Sequence, residues 1–175
     1  MPVGVKTYFK VVLLTSDINF EYEQEVIDRF KVKNVVKAIN PKEFTHLTDK
    51  KAGWYSYEIG NGYSDIGYCD FENFRRILAN VLYDIPIKET FTYSNLKKIN
   101  DEDFYNIINT IDTRCYILGK PLAKLKQDFI KHKDTINEKL IRSGCSKEVI
   151  SSFMDTYNNL FEALFSKGAE ILELS

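Results

Sequence analysis

Apolar and polar positions follow short-period patterns in the first half of the chain and helical ones in the second. Val5 to Thr15 is dense in β-branched and aromatic residues and ends at Ser16-Asp17, which predicts a strand in a central place. Phe20 to Phe30 sets Phe20, Val26, Ile27 and Phe30 against Glu21, Glu23 and Glu25. Acids in early turns complement the positive end of a helix dipole, so this stretch reads as a helix. Val32 to Ile39 returns to β-branched character and stops at the turn pair Asn40-Pro41. Trp54 to Ile59 alternates Trp, Ser and Glu against Tyr, Tyr and Ile, a short strand with one drier face.

A glycine-bearing segment follows, Gly60-Asn61-Gly62-Tyr63-Ser64-Asp65-Ile66-Gly67, and reads as a loop. Asp70 then caps a helix from Phe71 to Tyr83 that carries Phe71, Phe74, Ile77, Leu78, Val81 and Leu82, and Pro86 ends it. Ile87 to Thr92 reads as a minor strand. Asn100-Asp101-Glu102-Asp103 supplies an N-cap and an acidic first turn for a helix from Phe104 to Ile111. Pro121 opens a longer helix, Leu122 to Ile141. Its Leu122, Leu125, Phe129, Ile136 and Leu140 fall within about 60° of one another on a helical wheel, a narrow packing stripe. Gly144 stops that helix and Ser146 caps the next, whose apolar face is Val149, Phe153, Leu160 and Leu164. The two should form an αα-hairpin. Gly168 ends the second, and Ala169 to Leu174 returns as a strand. With no internal repeat and no linker, the prediction is one α+β domain over residues 1–175: a small mixed or antiparallel sheet of about four strands, packed with helices.

The 175 residues carry 24 Lys and Arg against 25 Asp and Glu, a net charge of −1. With 44% hydrophobic and 28% charged residues, the chain has enough apolar surface for a core and is not a disordered or collagen-like sequence. Aromatic residues reach 14%, and 19 Lys stand beside only 5 Arg, a bias that AT-rich codons produce. No apolar run exceeds four residues, the length of Val11 to Leu14, so no bilayer-spanning segment and no membrane partner is expected. The N-terminal residues lack the pattern of a secretory signal, and a cytoplasmic location is expected. Cys69, Cys115 and Cys145 are odd in number and scattered, which suits reduced thiols rather than disulfides.

Candidate chemistry is sparse. The Gly60–Gly67 loop between a strand and a helix resembles the layout of phosphate cradles, but Asp65 and Asp70 would repel phosphate. Arg75 and Arg76 stand beside that loop as candidate anion or partner contacts. Between Arg114 and Lys133, Lys120, Lys124 and Lys131 form a row within about 40°, a candidate contact for nucleic acid or an acidic partner. His132 sits near the apolar stripe and is expected at a helix interface with one satisfied nitrogen, and His46 in a loop. Trp54, Tyr55, Tyr57, Tyr63 and Tyr68 gather around the glycine loop, and they are expected to be partly exposed and to act as partner-binding anchors with Arg75 and Arg76. No catalytic, metal or cofactor set is discerned.

Gly62-Tyr63-Ser64-Asp65-Ile66-Gly67-Tyr68, followed by Phe74-Arg75-Arg76-Ile77-Leu78-Ala79, resembles a GSYSGYNxFRxxLA pattern. Asp112 to Gly119 with Ala123-Lys124-Leu125-Lys126-Gln127-Asp128-Phe129 is similar to a DCEGxIG…AKLxxDF segment. The ending Phe161-Glu162-Ala163…Gly168-Ala169-Glu170-Ile171 is similar to FExAxxxGxVxF. These motifs belong to an uncharacterised family of small proteins from phages and prophage-bearing bacteria. The chain departs from them at Thr113-Arg114-Cys115-Tyr116, where the pattern has an acidic-Gly pair.

The resemblance implies an origin on a mobile element rather than a reaction. The leading expectation is an accessory protein that binds a host or defence protein and inhibits it, as an anti-CRISPR does. A small enzyme or nucleotide-binding domain is the alternative, with Arg75 or Arg114 as anion clamp and Asp112 as acid or base. Nucleic-acid binding along Lys120–Lys133 is the third reading, and a homodimer is left open.

Overall fold

The β-rich run at the N-terminus folds as two strands rather than one. β1 (Val3–Phe9) and β2 (Val12–Thr15) are separated at Lys10, whose φ is 50°. The structure, a computed structural model, describes the backbone of residues 3–66, 68–110, 114–165 and 168–175, and the side chains of these residues except 59–69. Helix α1 (Glu23–Phe30) and strand β3 (Val35–Ala38) follow, each somewhat shorter than the sequence predicts. A 3-10 segment, Lys42–Leu47, then leads to β4 (Gly53–Ser56). The predicted glycine loop is instead a strand, β5 (Ile59–Ile66), which pairs antiparallel with β1 from Phe9↔Ile59 to Val3↔Ile66. Gly67 lies outside the described residues.

Four strands form one antiparallel sheet in the order β5-β1-β7-β6, with β6 at Cys115–Leu118 and β7 at Ile171–Leu174. The predicted small sheet is thus accompanied by a second, β2-β4-β3. Alternation along the strands decides what each face meets. Val5, Ile117, Leu172 and Leu174 face a helical layer, while Tyr8, Tyr116, Leu118 and Ile171 face Val36, Ala38 and Tyr55 of the second sheet. The far face of that second sheet packs Trp54 and Val35 on Val26 of α1. The result is an α+β fold in which the first sheet lies between the helical layer and the second sheet, and α1 packs on the far face of the second.

The helical layer contains α2 (Tyr68–Tyr83), α3 (Tyr93–Lys98), α4 (Tyr105–Ile108), α5 (Lys120–His132), α6 (Ile136–Arg142) and α7 (Lys147–Phe165). The predicted strand Ile87–Thr92 is a 3-10 turn at Ile87–Glu89 running into α3. The predicted helix from Leu122 to Ile141 breaks between α5 and α6, so the predicted αα-hairpin has three helices, with α5 and α6 both packed on α7. The stripe itself is as expected: Leu122, Leu125, Phe129, Ile136 and Leu140 are all buried. Phe129 lies 5.0 Å from the Phe104 ring and 4.8 Å from Tyr157, whose hydroxyl donates to the Phe129 carbonyl at 2.6 Å. Each such side chain contributes ~1.5–3 kcal/mol by leaving water. No described helix is long and apolar enough to cross a membrane.

Candidate functional site

Strands β1–β2 and β4–β5 run as one bent antiparallel ribbon, Phe9 facing Ile59 before the bend and Val12 facing Ser56 after it. Strand β7 covers the outer side of β1 and stops at the bend. There the Glu170 N–H donates to the Tyr8 carbonyl at 2.9 Å. The Glu170 carboxylate accepts the N–H groups of Lys10 and Val11, at 3.2 and 3.3 Å. Two backbone donors that the bend would orphan are thereby satisfied from a residue distant in sequence.

Beyond the bend lies a cleft of about 630 Å³ between β2, the end of β6 and the start of α5. Its apolar lining comes from Val11, Leu13, Tyr55, Leu118, Leu122 and Ala123. Three lysines, Lys50, Lys51 and Lys126, stand around it. The Lys126 ammonium is half-buried and donates to the Ala169 carbonyl at 2.5 Å; burial lowers its pKa, and Glu170 acts in the opposite sense. The two acids on the rim are engaged. Glu170 holds the bend, and Asp49 accepts the N–H of Lys120 at 3.0 Å, capping α5 from outside its own segment. Gly119 makes that cap feasible: its φ is 70°, and a Cβ there would collide with the Asp49 carboxylate. On the adjacent surface Val12 is 61% and Leu13 39% exposed. An apolar floor, an apolar lip and a cationic rim can hold an amphipathic, negatively charged occupant.

Most of the anchors expected from the sequence lie elsewhere. Trp54 and Tyr55 are 2% and 5% exposed and belong to the core, not to an open surface. A two-faced aromatic strand is fully buried here because α1 covers one face of β4 and the first sheet covers the other. Tyr57 is half-buried, its ring 4.8 Å from Tyr8. The side chains of Tyr63, Tyr68 and Cys69 lie outside the described residues, as does Asp112. Arg75 is 3% exposed, set against the rings of Phe71 and Phe91 and donating to Thr110 at 3.0 Å. Arg76 binds Glu72 at 2.6 Å and the Ile87 carbonyl at 2.8 Å. Both arginines therefore fasten α2 to its neighbours, and the strand geometry of β5 removes the cradle that a phosphate reading requires.

The lysine row is partly neutralised. Lys124 contacts Asp128 at 3.1 Å and the Glu102 carbonyl at 3.0 Å, and Lys131 contacts Asp103 at 2.6 Å. Only Lys120 of the three projects without an ion pair among the described residues. His132, 6% exposed, meets Asp103 through Nε2 at 2.8 Å, and its Nδ1 lies 3.5 Å from Lys139. Asp128 accepts the Phe104 N–H at 2.9 Å; burial raises its pKa, opposed by that bond and by Lys124. Asp103, read from the sequence as a helix-start acid, and Asp128, the acid within the basic run, tie α5 to the segment before α4.

A second polar cluster lies between the sheets. Tyr8 donates to Glu173 at 2.5 Å, and Arg114 reaches the same carboxylate at 3.4 Å. Burial, then Glu173, raises the Tyr8 pKa. Cys115 is buried and its thiol is pushed up to about 12, chiefly by desolvation, which makes it inert; Cys145 is half-buried at the turn before α7. His46 is half-buried beside Tyr105, and burial lowers its pKa. No group of three or more His, Cys, Asp or Glu among the described residues is placed to hold a metal ion.

The cleft was only partly visible in the sequence. Lys126 stood in the basic run and Val11–Leu14 is an unbroken apolar run, but neither shows that β2 is an outer strand. Likeness to known proteins adds nothing to the assignment: no family model, curated protein or solved structure matches the chain.

Proposed function

We propose that this chain is a small phage-type accessory protein that acts in the host cytoplasm by binding a host or defence protein and occluding it. The binding surface in this reading is the cleft beside β2, in place of the aromatic strand and glycine segment. The observation that carries it is the coincidence of exposed Val12 and Leu13 with an apolar cleft ringed by Lys50, Lys51 and Lys126. Exposed apolar surface rimmed by polar residues is a recurrent mark of interaction sites. The resemblance of its motifs to a phage-protein pattern is what suggests the biological setting.

Site-specific photo-crosslinking in host cells tests the proposal. A photoreactive residue at Leu13 should capture a defined protein, identified by mass spectrometry, that one at the more exposed Tyr93 does not. Charge reversal by Lys50→Glu with Lys51→Glu should abolish that capture. Equal capture from both positions, or none from Leu13, contradicts the reading.

A further inference from the structure

The open side of β2 has a direction as well as a chemistry. In the first sheet, β7 lies along β1 from Leu174 opposite Val5 to Ile171 opposite Tyr8. Continued backwards past Glu170, the line of β7 would run alongside β2. The chain does not follow that line. At Gly168, whose φ is 73°, it leaves for the end of α7, and Ala169 and Glu170 become one wall of the cleft. β2 is therefore an outer strand, with β4 its backbone pairing partner among the described residues. In an antiparallel strand every second residue turns its N–H and C=O away from the paired neighbour, leaving a template for another strand.

β6, an outer strand of the first sheet, is handled differently. The Asn40 side chain donates to the Tyr116 carbonyl at 2.7 Å and accepts the Tyr116 N–H at 2.6 Å, and Thr48 bridges Leu118 in parallel. The β6 edge is thus plugged by a side-chain amide acting as a surrogate strand. No such plug lies along β2 among the described residues, and its exposed positions are Val12 and Leu13 rather than charged gatekeepers.

Charge selects the occupant. Three lysines stand against two acids around the cleft; Asp49 and Glu170 are turned onto backbone N–H groups and Lys126 onto the Ala169 carbonyl, so Lys50 and Lys51 are the charged groups facing an incomer. We propose that an extended acidic–apolar segment of a partner protein adds as a strand along Val12–Thr15, in line with β7. Its backbone pairs with β2, its apolar side chains enter toward Leu118 and Leu122, and its carboxylates meet Lys50 and Lys51. Main-chain pairing gives affinity and the alternate side chains give specificity, as in other strand-addition complexes. This inference rests on reading the cleft as a protein-binding site.

A random peptide library selected on the full chain tests it, with each enriched peptide synthesised and measured by fluorescence anisotropy. Enriched peptides should alternate acidic and apolar residues. N-methylation of amides at alternate positions should weaken binding about 10-fold or more in one parity and little in the other, as expected for lost backbone pairing. Lys50→Glu with Lys51→Glu should weaken it comparably, and hydrogen exchange should slow at Val12–Thr15. Basic or helical peptides, insensitivity to N-methylation in both parities, or an empty selection would overturn the proposal. So would concentration-dependent self-association through this cleft, which would make a second copy the occupant. Leu13 crosslinking that succeeds while the peptide results fail would leave the cleft reading standing and remove only the strand-addition mode.

Discussion

Asp103→Asn probes the polar junction that fixes the start of the helical layer. The Asp103 carboxylate receives Lys131 at 2.6 Å and His132 at 2.8 Å, while Tyr83 donates to its main-chain carbonyl at 2.6 Å. Partial burial opposes ionisation, but the Lys131 and His132 bonds outweigh it and hold the carboxyl at about 2, below its ordinary 3.8. Unscreened, that difference corresponds to roughly 2 kcal/mol favouring the folded state. Lys131 is 65% exposed, so solvent screening reduces it to about 1 kcal/mol. The sign is that of a depressed acid: the stabilisation is complete above the unfolded value near 3.8 and is lost as pH falls toward about 2. Urea denaturation of both proteins at a series of pH values measures it. Asp103→Asn should be less stable by about 1 kcal/mol at neutral pH, and the two curves should converge between about 4 and 2. An equally stable variant at neutral pH, or a deficit that does not change over that range, would refute the reasoning.

Three further perturbations follow from single contacts. Phe129→Ala empties a fully buried site ringed by Phe104, Tyr157 and Phe161 and should cost about 3–5 kcal/mol in chemical denaturation. Tyr8→Phe removes the donor to buried Glu173 and should cost about 1.5–3 kcal/mol; a smaller cost in a Glu173→Gln background would show that the two side chains are coupled. Gly119→Ala combines a positive φ with a collision at Asp49 and should cost about 1 kcal/mol or more, while slowing of amide exchange at Lys120 is lost.

The helices were the most legible elements because burial of one face imposes its period on the sequence, as Leu122, Leu125 and Phe129 show. Tertiary contacts decided the rest. Val5–Thr15 has unbroken strand character, and contacts from far along the chain, the Glu170 carboxylate among them, hold the bend that assigns its halves to different sheets. Gly60, Asn61 and Gly62 have poor strand propensity, yet pairing with β1 makes them a strand. Trp54 and Tyr55 looked like a surface because both faces of a short strand were aromatic, and the second sheet together with α1 buries both. The lysines of the cleft come from separate segments, Lys50 and Lys51 before β4 and Lys126 on α5, so their convergence is a property of the fold alone.

Hydrogen–deuterium exchange of the full chain with and without the protein captured through Leu13 tests the central claim most directly. The account predicts slowed exchange concentrated at Val12–Thr15, absent when Lys50 and Lys51 are both changed to Glu. Protection confined to other elements, with Val12–Thr15 exchanging as in the free chain, would contradict it.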